Sequence, residues 1–116
     1  MDFHANFVSV SAAGDFYQIS FAEYDDDAEQ DGAYLLIQRQ FEDPDEDDVY
    51  VETHDDEFIG HFYIRRIEFN SSGLLVEIDR LKNNRINVTF DLTPEEFNNT
   101  MPILKIISGE EDPFDE

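Results

Sequence analysis

"GHFYIRRIEFNSSGLLVEIDRLKNNRINVTFDL", residues 60–92, decides the fold. Taken back to Phe58, "FIGHFYIRRIEF" reads as one long strand, with Gly60 marking a bulge or a close backbone approach. "NSSG" is a turn in which Gly73 can supply a positive φ. "LLVEIDRL" and "RINVTFDL" bracket "KNN" and form a hairpin. Ile86, Val88 and Phe90 alternate with Asn87, Thr89 and Asp91, so one face of that strand should be wet.

Downstream, "LTPEEF" carries the clearest helix start in the chain. Thr93 serves as N-cap, Pro94 suits the first helical position and Glu96 completes a capping box. Phe97, Met101, Leu104 and Ile106 or Ile107 then fall on one helical stripe. Pro102 interrupts the stripe and predicts a kink or a broken helix.

Upstream, "NFVSV" (6–10) and "FYQISFA" (16–22) are short β-branched and aromatic runs around a turn. "AYLLIQRQF" (33–41) holds Tyr34, Leu35, Leu36 and Ile37 in a row, as expected of a strand buried on both faces near the middle of a sheet. "VYVETH" (49–54) is a further short strand. Together these predict an α+β domain: a mostly antiparallel sheet of six to seven strands, with one C-terminal helix packed on a face. Residues 1–109 form the single domain, and 110–116 a frayed acidic tail.

The chain has 116 residues with 29 Asp or Glu against 7 Lys or Arg, a formal charge of −22. Its 11 Phe and 5 Tyr argue against a disordered acidic segment, which would be poor in aromatics. A field this negative repels nucleic acid and anionic membrane, and attracts basic proteins and multivalent cations. With no cysteine, thiolate catalysis, thiol metal sites and disulfides are excluded. "MDFHANFVSV" is neither signal peptide nor membrane anchor, so a soluble, cytoplasmic location is expected.

Between Glu23 and Glu57 the chain carries 16 acidic residues and one basic residue, Arg39. The carboxylates concentrate in "DDDAEQD" (25–31), "EDPDEDD" (42–48) and "DDE" (55–57). An acidic run is by default a solvated rim, but localised potential also speeds encounter with a cationic partner. The expected partner-binding residues are therefore Asp25, Asp26, Asp27, Glu29 and Asp31, then Asp43, Asp45, Glu46, Asp47 and Asp48, then Asp55, Asp56 and Glu57. Affinity also needs desolvated anchors, with Tyr24, Tyr34, Tyr50, Phe58 and Phe62 as candidates. Arg39, beside the most apolar strand, is expected to neutralise carboxylates as a structural ion pair.

Calcium is the competing chemistry. With Asp27 as first ligand, Glu29, Asp31 and Gly32 fall at the EF-hand spacing, but the closing twelfth position is Gln38. Asp43, Asp45 and Asp47 have alternate spacing without a downstream frame. His4, His54 and His61 form no metal motif, and no serine lies in a nucleophile elbow, so no catalytic residue, metal or cofactor is assigned.

"AYLLIQRQF", an acidic loop, "DVYVE" and "GHFYIRRIEF", in that order, resemble the immunity protein 10 family of bacterial polymorphic toxin systems. The resembling positions are Tyr34, Leu35, Ile37, Gln38 and Arg39, then Asp47, Asp48, Val49, Tyr50, Val51 and Glu52. "VTFDLTPEEFNNTMPILKII" is similar to the closing strand and helix of such proteins, and the resemblance covers roughly residues 15–107. It implies a mostly β fold and a non-enzymatic role: binding and neutralising a cognate toxin domain. A nuclease toxin must be basic to hold phosphates, which suits an acidic inhibitor. The alternatives are a DNA-mimic inhibitor of a nucleic-acid-binding protein and a calcium-binding module. Nothing in the sequence specifies the oligomeric state.

Overall fold

Alternating apolar residues line up into nine strands among the residues that the computed structural model describes, which are 1–13, 16–24, 32–40, 49–82 and 84–108. The strands are β1 (Asp2–His4), β2 (Phe7–Ala13), β3 (Phe16–Ala22), β4 (Tyr34–Gln40), β5 (Val49–Thr53), β6 (Gly60–Phe62), β7 (Ile64–Asn70), β8 (Gly73–Ile78) and β9 (Arg85–Thr89). One helix, α1 (Pro94–Ser108), closes the chain order, and a short 3-10 turn spans Asp56–Phe58. The class is α+β.

The strands form two sheets, β2-β3-β4-β5-β6 and β1-β9-β8-β7, in place of the single sheet expected. All pairings are antiparallel except β1 with β9, which run parallel with Phe3 opposite Val88. The sheets share their edges. The N–H of Ala5 donates to Thr89 O at 2.8 Å and that of Asn6 to Ala22 O at 2.9 Å, so the chain changes sheet between neighbouring residues. At the other corner Tyr63 alone separates β6 from β7, and its carbonyl accepts from Asp79 N at 2.8 Å. The long strand read over 58–69 therefore begins only at Gly60, Phe58 belonging to the 3-10 turn, and is divided at Tyr63 into β6 and β7, which lie in different sheets. Counting each bent pair once reduces nine to seven.

Between the sheets lies one core. Ile19, Phe21, Leu35, Ile37 and Val51 from one sheet meet Val76, Ile78 and Ile86 from the other, all with no exposed surface. Each such side chain contributes roughly 1.5–3 kcal/mol by leaving water. β4 is the central strand of its sheet, but only Leu35 and Ile37 are fully buried. Tyr34 and Leu36, on the outer face, are half-buried, which corrects the expectation of a strand covered on both faces.

The helix starts as its sequence requires. Thr93 N donates to Glu96 Oε1 at 3.0 Å and Glu96 N to Thr93 Oγ1 at 3.1 Å, a closed capping box. Phe97 stacks on Phe69 at 5.2 Å between centroids, while Leu104 and Ile107 are buried. Thr100 is buried as well, and its hydroxyl donates back to Glu96 O at 2.7 Å. The helix runs unbroken through Pro102. The proline takes the place of a donor to the Asn98 carbonyl, and both residues are exposed, so water can satisfy that oxygen.

Two glycines exchange the roles expected of them. Gly60 holds the positive φ, at 143°, a conformation that side-chain-bearing residues rarely adopt. Gly73 does not; a Cβ there would lie 3.2 Å from Val88 O, so close approach is its requirement. The β8–β9 hairpin also differs in extent: β8 ends at Ile78, and the connection begins at Asp79 instead of Lys82. Among the described residues no helix is long and apolar enough to cross a membrane. The predicted tail, 110–116, lies outside them.

Candidate functional site

Antiparallel pairing decides where the acidic segments leave the sheet. Ala22 pairs with Tyr34, and Leu35 with Thr53, so the connection 23–33 and the turn after Thr53 start from one end. Gln40 pairs with Phe16 and Val49 with Phe62, so segment 41–48 is anchored at the opposite end. The described residues that flank 25–31 thus share an end of the sheet with the turn after Thr53, and those that flank 41–48 lie at the other end. Asp25, Asp26, Asp27, Glu29, Asp31, Asp43, Asp45, Glu46, Asp47 and Asp48 themselves lie outside the described residues.

Asp55, Asp56 and Glu57 are described, and their turn is built tightly. Thr53, fully buried, accepts from Asp55 N at 3.0 Å and donates to Asp55 O at 2.9 Å through its hydroxyl. Asp55 Oδ1 caps the turn by accepting from Glu57 N at 3.0 Å. Phe58 then plugs the core at 3% exposure.

Arg80, from the β8–β9 connection, locks this turn against the β6–β7 corner. Its Nη1 donates to Glu57 O at 2.7 Å, and its guanidinium carbon lies 4.6 Å from the Phe58 centroid and 5.4 Å from that of Phe62. The adjoining Asp79 N holds Tyr63 O. Three segments are pinned together in this way, and each presents an exposed apolar side chain: Ile59 at 42%, Tyr63 at 61% and Leu81 at 97%. Asp56 and Glu57 are exposed on the same turn as Ile59. Apolar side chains that lose water on contact, framed by charge that guides approach, are the arrangement a protein-binding surface needs.

A second cluster decorates the outer face of β4 and β5. Glu52 accepts from both Tyr50 OH, at 2.8 Å, and Tyr34 OH, at 3.1 Å. Burial, followed by the hydrogen bond and charge of Glu52, raises the Tyr34 pKa above its ordinary 10.0. The Glu52 hydrogen bond is the leading cause of the same upward shift at Tyr50. His61 tilts against Tyr50 at 5.4 Å between centroids, and His54 Nδ1 accepts from Tyr34 N at 3.1 Å. The phenols therefore stay protonated donors, and the cluster clasps β4 to β5.

Basic residues concentrate on the other sheet. Arg65 pairs with Asp79 at 2.6 Å and Glu77 at 3.3 Å, Arg85 with Glu77 at 3.5 Å, and Arg66 with Glu68. These exposed pairs contribute little stability each, but they neutralise that face locally. Arg39 is turned inward, its Nη1 donating to Ile107 O at 3.0 Å in the last helical turn, where a cation also suits the helix dipole. In sequence, the unbalanced negative charge falls between Glu23 and Glu57.

Of the expected anchors, Phe58 is buried, Phe62 lies under Arg80, Tyr34 and Tyr50 are half-buried on Glu52, and Tyr24 is 38% exposed. Ile59, Tyr63 and Leu81 were not expected. The available signal for Leu81 was a lone aliphatic residue inside the polar hairpin run "DRLKNN". Among the described residues no group of three or more His, Asp or Glu side chains is placed to hold a metal ion. No protein-family model matches the chain, and no curated protein matches it either.

Proposed function

We propose that this chain is a non-enzymatic immunity protein that binds a basic partner, a cognate bacterial toxin domain, and neutralises it by covering its functional surface. The observation that carries this reading is the Arg80-locked corner, where contacts to backbone carbonyls tie the segments bearing exposed Ile59, Tyr63 and Leu81 to the turn bearing exposed Asp56 and Glu57. Acidic side chains accelerate encounter with a cationic protein, and the apolar trio supplies the surface whose burial holds it. The similarity to immunity protein 10 chains in "AYLLIQRQF" and "DVYVE" supports the toxin as the partner class.

The test is co-expression. The C-terminal domain encoded immediately upstream is induced in a sensitive host, with and without this chain. Growth restored by this chain alone, together with a salt-dependent complex of the two purified proteins, is the expected result. Persistent toxicity with no complex overturns the immunity reading and favours a DNA-mimic target, sought among host nucleic-acid-binding proteins.

A further inference from the structure

β2 differs from every other sheet edge in this protein. It pairs with β3 over its 7 residues, Phe7 with Ala22 through Ala13 with Phe16, and among the described residues nothing pairs with its other side. Edge strands are usually protected by charge, proline or short length. Here β6 has 3 residues, β1 has 3 and carries Asp2, and β7 carries Arg65, Arg66 and Glu68. β2, "FVSVSAA", has no ionisable residue and no proline, in a chain with 29 acidic side chains.

On the core face Val8 packs against the core and α1 lies against the strand, but from Ser9 to Ala12 the side chains of both faces are exposed. Val10 stands opposite Ile19 on the core side, yet it is 39% exposed where Ile19 is 0%. The core therefore ends abruptly at Val10, with one flank of that side chain in water. Phe7, on the opposite face, is 47% exposed, and Ser9, Ser11 and Ala12 are exposed along the same strand. A further strand laid along this edge would satisfy free backbone groups and cover Val10 with a side chain of its own.

We propose that the free edge of β2 accepts an extended segment of a basic protein as an additional strand of the five-stranded sheet. Charge selects the occupant. A second copy would bring −22 against −22, whereas a cationic segment is drawn in by the same field. Alternation defines the segment further: an apolar side chain beside Val10, and small or polar ones beside Ser9 and Ser11. The proposal stands whether or not the basic protein is a toxin, because it uses neither the Arg80 corner nor the immunity reading.

The experiment is residue-resolved amide hydrogen exchange on the full chain, with a short synthetic peptide alternating lysine and valine. Alternate amides between Ser9 and Ala12 should slow by about tenfold or more, with β8 unchanged. A peptide of equal charge with proline in place of valine should leave them unaffected, since proline cannot supply the ladder. Val10→Lys should abolish the protection while the melting temperature holds; one added charge against −22 is too small a change to account for such a loss. Ser9→Lys provides a second variant on the other face. Absent slowing overturns the proposal, as does equal slowing by the proline peptide, which would show electrostatic adhesion only. Slowing that rises with protein concentration alone makes a second copy the occupant and overturns it too.

Discussion

Arg80 lies over Phe58, its guanidinium carbon 4.6 Å from the ring centroid, while its Nη1 holds the carbonyl of the preceding Glu57. One side chain thereby roofs a buried aromatic and fixes the turn carrying Asp56 and Glu57. Arg80→Ala should destabilise the fold by about 1–2 kcal/mol, from the lost cation–π contact and hydrogen bond. Urea unfolding checks this, and an unchanged midpoint would refute the clasp. Arg80→Lys should recover only part of the loss, because an ammonium lacks the planar stacking surface.

Tyr63→Ala and Leu81→Ala remove exposed side chains and should alter stability by no more than about 0.5 kcal/mol. If the corner is the docking surface, each should weaken the partner complex by about tenfold or more, equivalent to roughly 1.4 kcal/mol. Calorimetric titration with the partner decides it; unaffected affinity in both variants removes the corner from the interface.

Asp56→Asn combined with Glu57→Gln should act on rate. The exposed pair should contribute to steering, so association should slow and its dependence on salt should flatten, with dissociation little changed. Stopped-flow kinetics at several ionic strengths separates the two. A change confined to dissociation would make these residues direct contacts.

Glu52→Gln tests the tyrosine clasp. Raised folded-state pKa values at Tyr34 and Tyr50 mean that the native state holds those protons more tightly than the unfolded chain. Their contribution is complete below the ordinary tyrosine value of 10.0 and is lost as pH rises through the folded-state values. The variant should therefore ionise these phenols at lower pH, seen in phenolate absorbance, and lose less stability than the parent on the alkaline side. Superimposable phenolate titrations would refute the assignment.

Gly60→Ala places a side chain at a φ of 143° and should cost roughly 1–3 kcal/mol in thermal or urea unfolding. An unchanged stability would show that the β5–β6 turn can relax to another conformation.

Much of this was legible where a local rule governs. Thr93 and Glu96 satisfy each other within a few residues, so their spacing alone announces the helix start. The bends were not legible, because alternation runs straight through them: Phe62 and Ile64 are both half-buried on either side of Tyr63. The three acidic runs look alike as text, and only the pairing of β4 with both neighbours separates their anchor points. Leu81 followed no periodicity, since its position depends on Arg80 reaching back to Glu57, 23 residues away.

The parallel pairing of Phe3 with Val88 has a kinetic consequence. β1 gains its ladder partner only when β9, 85 residues further on, exists, so closure of the four-stranded sheet is a late, non-local event. During synthesis β1 waits on the ribosome for β9, with its apolar neighbours uncovered. Mutual repulsion among the many carboxylates keeps such nascent chains apart during that wait. The charge that costs the finished fold some stability thus acts, while the chain is being made, as an internal safeguard against aggregation.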